Sequence, residues 1–491
     1  MNFKEYNQHQ RMLFPPSFDD FIPENDPVRV VNSIVDKLDL SHLYLQYKKI
    51  GCSSYHPKMM IKIIIYAYLR NTYSSRRIEE LTVNDIRFIW LSGMQRPDHN
   101  TINDFRGNKL KTNLKEIFAQ IVHFMVDQKM VSLQNAYTDG TKIEANANRY
   151  TFVWGKSIQT RIGKIADQIN ELWSYAEGVT KEELTDRTPV TYQDITSDKI
   201  EELVDKIDDA LSNTNADKKI LNKVKRVKKA WTEQVKRYEE QGSQMGERNS
   251  MSKTDADATF MRMKEDHMGN GQLKPAYNTQ ISTENGIITN YSVHQTTTDT
   301  TTYIEHINEY KNIHGIYPQN SICDAGYGSE ENYLFAQDNQ IVPYIKYNYF
   351  HKEQSKSWKN NPFLSSNFYY NQDKDCCYCP MGQEMNNIGE KKEKTKTGFS
   401  QTASLYKAKN CNGCPLLCLC HKAKGNRVIQ INHRLRKLKQ KARDLLTNEE
   451  GRKHRSRRPA DVEQTFGNLK ANKGFKRFLL RGIKKVEIEF G

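Results

Sequence analysis

The segment Asn135-Ala-Tyr-Thr-Asp139-Gly140-Thr-Lys-Ile-Glu144-Ala-Asn146 constrains this chain more than any other. Apolar and β-favouring residues lead to a single carboxylate, and glycine follows at once. That pattern predicts a buried strand delivering Asp139 to an open edge, where the glycine lets the backbone turn away or a ligand approach. A carboxylate in such a place is costly unless a cation or a hydrogen-bond donor meets it. Alone, the segment suits a strand ending in a solvated Asp equally well. The pattern recurs, however, in Asn320-Ser-Ile-Cys323-Asp324-Ala-Gly326, a second apolar strand that ends in Asp with glycine close behind. Two strand-end aspartates far apart in sequence suit divalent metal held between hard oxygen ligands, which select Mg²⁺ or Mn²⁺. Two such ions, roughly 3.5–4 Å apart, serve phosphoryl transfer by acting on the attacking and leaving oxygens.

That chemistry needs a third carboxylate, and Gly451-Arg-Lys-His-Arg455-Ser-Arg457-Arg458-Pro459-Ala-Asp461-Val-Glu463-Gln-Thr-Phe466-Gly-Asn-Leu-Lys470 offers one. Pro459 and Asp461 predict a helix start. Phe466 and Lys470 follow Glu463 by three and seven positions, so the three share a face. An acid flanked by cations can bind metal beside a phosphate that those cations hold. The alternative is a surface helix with an ordinary charge pair.

A polyanionic partner also follows from charge. Lys and Arg number 74 against 59 Asp and Glu, a formal net charge of +15, and such a balance most often meets nucleic acid. Charge alone does not separate an enzyme from a ribosomal or chromatin-type binder. The N-terminus has no apolar signal core, and the longest apolar run, Met59 to Leu69, is short and contains Lys62. The expectation is a cytoplasmic protein without membrane contact. In that reducing compartment the nine cysteines, clustered toward the C-terminal end, point to metal rather than disulfides.

In chain order, residues 1–130 read as a helical domain. Helices start at Asp26-Pro27 and His56-Pro57, and one is closed by Gly93. Short helices between Gly and Pro turns suit a helix-turn-helix DNA reader or an ordinary helical domain. Residues 131–491 would form a catalytic domain interrupted twice. The first insertion, 158–252, predicts two amphipathic helices in an antiparallel hairpin, with a basic second arm (Lys218 to Lys229) and a flexible loop from Gln241 to Ser252. Strands resume around Glu284-Asn285-Gly286, a hairpin signal. A helix from Tyr303, the Asp324 strand, a helix from Glu330 and a strand from Ile341 follow. The second insertion, 350–433, is cysteine-rich and β-like. Its Cys-Pro-x-Gly at Cys379 and its Cys-x-x-Cys at Cys411 and Cys414 suit a four-thiolate structural zinc site. We assign it to Cys379, Cys411, Cys414 and Cys420, with Cys376, Cys377, Cys418 and His421 as competitors.

Together, Thr-Asp139-Gly-Thr-Lys, Cys-Asp324-Ala-Gly-Tyr, the cysteine-bearing insertion and Val-Glu463-x-x-Phe-Gly-x-x-Lys470 resemble the DDE transposases of bacterial insertion sequences. The resemblance is to the class with a Tyr-Arg-Glu-Lys signature, and it spans nearly the whole chain. It implies an α/β fold with a ribonuclease-H-like mixed sheet core, a helical N-terminal domain, a helical-hairpin insertion and a cysteine-rich β insertion. It implies that Asp139, Asp324 and Glu463 bind two Mg²⁺ (or Mn²⁺) ions and that Arg458 and Lys470 hold DNA phosphates, with Arg455 and Lys473 as further DNA contacts. The implied reaction is metal-dependent cleavage at the element's ends, followed by attack of the 3′-hydroxyls on target DNA. The implied partners are double-stranded DNA, as terminal inverted repeats and target, and a second copy in a homodimer; the implied location is nucleoid-associated. Two departures stand out. Arg455 occupies the place of the signature's Tyr, and Arg458 lies one residue further from Glu463 than the general pattern. The chain stops in the apolar Val486-Glu-Ile-Glu-Phe490-Gly491, whereas relatives run on, so a truncated copy is expected. A non-catalytic DNA-binding descendant and a hydrolytic nuclease on the same fold are the rival expectations.

Overall fold

The computed structural model describes residues 16–47, 53–180, 195–212, 218–263 and 271–491. Its centre is a mixed sheet built on β1 (Asn135–Glu144). A two-stranded ribbon, β2 (Phe152–Trp154) with β3 (Ser250–Ser252), lies off that sheet. The sheet continues with β4 (Thr259–Arg262), β5 (Leu273–Glu284), β6 (Ile287–His294), β7 (Asn320–Cys323) and β8 (Val342–Ile345). The strand order is β4-β5-β1-β7-β8, with β6 also on β5. β1 runs antiparallel to β5 and parallel to β7, and β7 is parallel to β8. Asn285 and Gly286 turn β5 into β6 with φ of 58° and 76°, the left-handed conformations that an Asn-Gly hairpin requires.

The fold is therefore mixed α/β, and one expectation about its strands needs correction. β1 does not end at Asp139; it runs five residues further, to Glu144, paired throughout with β5. β7 does end before Asp324, and its pairing with β1 reaches only Tyr137. From Thr138 to Ile143, then, β1 is paired on one side only, before Glu144 bridges to Arg477, and the opening at Asp139 is made by a short neighbour rather than by its own strand end. Gly140 is needed for packing inside the strand. A Cβ there would lie 2.8 Å from Asp299 Oδ1 and closer still to the Gln280 amide.

Helices Tyr303–His314 and Glu330–Asp338 join the parallel strands, as crossovers between parallel strands must. The N-terminal helices, among them Pro27–Asp36, Pro57–Leu69, Ser75–Asn84 and Ile86–Ser92, form their own apolar core around Ile63, Ile78 and Phe88. Among the described residues the first insertion contains three helices rather than the expected pair, Gly155–Thr180, Ser197–Ser212 and Lys218–Met245, packed around Ile169, Val204, Ile207 and Val235. The last of them continues through the first five residues of the predicted loop, to Met245, and Ser250–Ser252 is a strand. Gly242 and Ser243 cost a helix little when Tyr238 and Met245 bury on the same face. Several side chains of the predicted basic arm, Lys218 and Lys219 included, lie outside those described.

The cysteine-rich region is a second, antiparallel sheet in the order β13-β12-β11-β10-β9, with β9 (Tyr369–Asn371), β10 (Cys376–Tyr378), β11 (Glu384–Lys394), β12 (Ser400–Ala408) and β13 (Val428–Ile431). Helix His433–Thr447 leads back to the central sheet, where Leu438, Ala442 and Leu446 join its core. Helix Glu449–Arg458 crosses β7 and β8.

Candidate functional site

Helix Glu449–Arg458 does not stop at Pro459, and no new helix begins at Asp461. The chain continues through a π-helical turn, Pro459–Glu463, into Gln464–Gly467 and a second π-helical turn, Asn468–Asn472. Proline has no N–H to give to the preceding turn and crowds the carbonyl four residues back. A wider, i→i+5 turn absorbs that defect. Asp461 is buried and accepts the backbone N–H groups of Asn285 and Gly286, both at 3.0 Å, so it secures the helix to the β5–β6 turn.

The π turn also accounts for the extra residue between Arg458 and Glu463. In an α-helix, residues four apart share a face; in a π turn, residues five apart do. Arg458 Nη1 meets Glu463 Oε1 at 2.7 Å across that interval. Its other terminal nitrogen meets Asp139 Oδ1 at 3.1 Å. Both Asp139 and Arg458 are buried, whereas the Glu463 side chain is half-exposed. Burial works to lower the Arg458 pKa, but the Asp139, Asp324 and Glu463 carboxylates outweigh it and raise the value. The guanidinium is thus a permanent cation among three acids.

Asp139, Asp324, Arg458, Glu463, Phe466, Lys470 and Lys476 line one open cavity of about 490 Å³. Asp324 caps the turn after β7 by accepting from Gly326 N at 2.8 Å. Lys470 donates to the Lys142 carbonyl of β1 at 3.2 Å. The other two cations read from sequence sit elsewhere. Lys473 donates to the Leu69 carbonyl of the N-terminal helices at 3.0 Å, and Arg455 lies over the Phe350 ring, 5.4 Å from its centre.

The donor set is chemically right for Mg²⁺ or Mn²⁺, being carboxylate oxygen throughout. Among the described residues, however, no three His, Cys, Asp or Glu side chains are grouped closely enough to hold an ion. Arg458 gives the physical reason, since its guanidinium stands between Asp139 and Glu463. The same statement covers the cysteines. Cys379, Cys411, Cys414, Cys420 and His421 line a cavity of about 300 Å³, and none of the described cysteines is in a disulfide. Cys376 and Cys377 are buried within β10 and Cys418 is exposed. Arg427 donates to Cys420 Sγ at 2.8 Å and its backbone N–H to Cys411 Sγ at 3.4 Å.

Sequence reading missed a polar layer behind the aspartates. Asp299 accepts from Asn278 at 2.8 Å and Gln280 at 3.1 Å. Tyr327, buried in the turn after Asp324, donates to Gln280 Oε1. Thr300 Oγ1 donates to the Gly326 carbonyl at 2.6 Å. These bonds tie the β1–β5 pair to the Asp324 turn. The available signal was weak: polar residues at 278 and 280 alternate along a strand whose partner carries Asp139.

Two family models match the chain, one described as a transposase DDE domain over residues 378–491, the other as a transposase domain, DUF772, over residues 16–108. No curated protein matches. No solved structure matches.

Proposed function

We propose, from the premise that this chain belongs with the insertion-sequence DDE transposases to which its two matched segments are similar, that it cuts DNA at the ends of its element and joins those ends to target DNA. The observation that carries this reading is the meeting of Asp139, Asp324 and Glu463 with Arg458 and Lys470 in one cavity. We read the central sheet as ribonuclease-H-like, since two of these acids come from neighbouring parallel strands, β1 and β7, and the third from a helix crossing them.

In this reading Asp139, Asp324 and Glu463 would hold Mg²⁺ or Mn²⁺, which supplies Lewis acidity to the attacking and leaving oxygens. Arg458 neutralises the acids until then and turns to a DNA phosphate as the strand enters. Lys470 holds a neighbouring phosphate, and the polar layer around Asp299 keeps the two aspartates from shifting under that charge. Strand joining needs two ends held together, which a homodimer provides. The zinc assignment is likewise a proposal, resting on four cysteines around one cavity. Elemental analysis finding about one zinc per chain, lost together with β10–β12 order on chelation, supports it; zinc-free protein with freely titrating thiols refutes it.

One observation favours a second reading, DNA binding without catalysis: the Arg458 ion pairs neutralise the would-be metal ligands. The deciding experiment compares parent and Glu463→Gln on duplexes carrying the element's ends, in Mg²⁺. The transposase reading expects Glu463→Gln to bind as the parent does and to lose nicking. Equal nicking by both removes Glu463 from the site, and nicking without joining identifies a nuclease.

A further inference from the structure

We propose that Lys346, Arg455 and His351 form a second phosphate subsite, which takes a backbone phosphodiester of the DNA strand on the β8 side of Asp324. The inference rests on the transposase reading above and adds to it Lys346 and His351, which the signature does not contain, as partners of Arg455, which stands at the place of the signature's Tyr. β7 and β8 are parallel and in register, Cys323 opposite Ile345. Asp324 and Lys346 are therefore the first residues past the ends of adjacent strands, and the Lys346 N–H reaches the Cys323 carbonyl at 3.4 Å. In open α/β sheets the carboxyl ends of parallel strands are where ligands bind.

Arg455 comes to the same place from above. It lies three residues before Arg458 on the helix crossing β7 and β8, so the two arginines share a face. Its guanidinium lies over Phe350, and its Nε is shielded from solvent with no hydrogen-bond partner. Phe350 in turn packs edge-on against the His351 ring, at 5.2 Å. Neither Lys346 nor Arg455 has a carboxylate within ion-pair distance among the described residues.

These groups repel one another. Burial lowers the Lys346 pKa, and Arg458 and Arg455 lower it further, with Asp324 and Glu463 acting against them. Burial lowers His351 as well, and Lys346 and Arg455 add to it. Half-buried cations with no anion of their own are relieved by an anion that bridges them. A phosphodiester does so with two oxygens and suits the arginine fork. Lys470 is bound to β1 and Lys346 follows β8, so the two would hold phosphates on opposite sides of the acids.

The test uses the full chain, a short duplex of arbitrary sequence and EDTA, so that no cleavage chemistry enters. The parent, Lys346→Met, Arg455→Met and the double variant are compared across a salt series, with unfolding temperatures to confirm folding. Each substitution is expected to reduce the slope of log K against log salt by about one, the double variant by about two, and Lys346→Arg is expected to restore it. Titration of the His351 ring by NMR is the second arm, with inorganic phosphate as the probe. Phosphate should raise the His351 pKa in the parent and not in the double variant. A double variant that keeps the parent's slope overturns the subsite and leaves the transposase reading standing. A parent that binds no duplex at any salt overturns both, and the parent's own binding tells the two failures apart. A His351 response to inorganic phosphate with an unchanged duplex slope would assign the pocket to a free phosphate and overturn the DNA contact.

Discussion

Arg458 holds the site together at the residue scale, and its removal should show what it holds. Taking one partner from a buried ion pair leaves the other charge uncompensated, at a cost of about 3 kcal/mol. Arg458→Met should therefore destabilise the protein in EDTA. Mg²⁺ at a hundred times its dissociation constant should then return about 2.7 kcal/mol to the variant through linkage. Thermal unfolding of parent and variant with and without Mg²⁺ measures this, and equal Mg²⁺ shifts in both would show that Arg458 does not compete with metal. Gly140→Ala tests the neighbouring position. Its Cβ would press on Asp299 Oδ1 and the Gln280 amide, an overpacking cost of about 1–3 kcal/mol. The same strain should move Asp139 enough to reduce nicking. A variant as stable and as fast as the parent would show that the layer yields. That Asp139, Asp324 and Glu463 share one cavity could be read from sequence because each stands in a local pattern of strand, glycine or flanking cation. Arg458 as their common partner could not, because its five-residue interval to Glu463 fits an α-helical face poorly and only the π turn makes it fit.

At the scale of elements, the hairpin at Asn285-Gly286 and the helices starting at Pro27, Pro57, Tyr303 and Glu330 were legible, because turn chemistry and periodicity are local. The run of β1 past Asp139 was not, since pairing with β5, more than a hundred residues away, keeps it extended. Helix Tyr303–His314 carries a consequence that sequence also hid. His306 is buried beneath the sheet, with its ring nitrogens near Ser282 and Ser292 at 2.8 and 2.7 Å. Burial, then the charges of His294 and Lys115, lower its pKa well below the usual 6.5. His314, on the same helix, is lowered by burial too. A histidine with a depressed folded pKa takes up a proton more readily unfolded. Its contribution is therefore complete above about pH 6.5 and is lost as pH falls below that value toward the folded pKa, at up to ~1.4 kcal/mol per pH unit. His306→Gln should remove one proton's worth of that slope. Denaturant unfolding between neutral and mildly acidic pH measures it, and an unchanged slope would mean that His306 is solvated on this timescale.

For the whole molecule, the two segments with family matches lie near opposite ends of the sequence, and the structure joins them. Tyr73 donates to the Lys473 carbonyl at 2.8 Å, Asn71 to that of Asn472 at 3.3 Å, and Lys473 to that of Leu69 at 3.0 Å. Tyr73 also packs edge-on against Phe475 at 5.3 Å. The helix that carries Glu463 and Lys470 is thus braced at its far end by the N-terminal helices. Two lysines three residues apart acquire different work in consequence. Lys470 faces the acid-lined cavity; Lys473 faces a backbone carbonyl of another segment. Sequence could not divide them, because both are cations after the same acid and only their tertiary partners, the Lys142 carbonyl of β1 for Lys470 and the Leu69 carbonyl for Lys473, distinguish them. Lys470→Ala should reduce the salt slope of duplex binding by about one and, since it too gives up a bond to a backbone carbonyl, that of Lys142, lower stability by about 0.5–1.5 kcal/mol. Lys473→Ala should leave the slope alone and lower stability by about 0.5–1.5 kcal/mol, the usual worth of one such hydrogen bond. Parallel salt titrations and thermal unfolding of the two variants decide it. If Lys473→Ala flattens the slope and Lys470→Ala does not, the DNA path runs over the brace rather than through the cavity, and the assignment of phosphate contacts must be reversed.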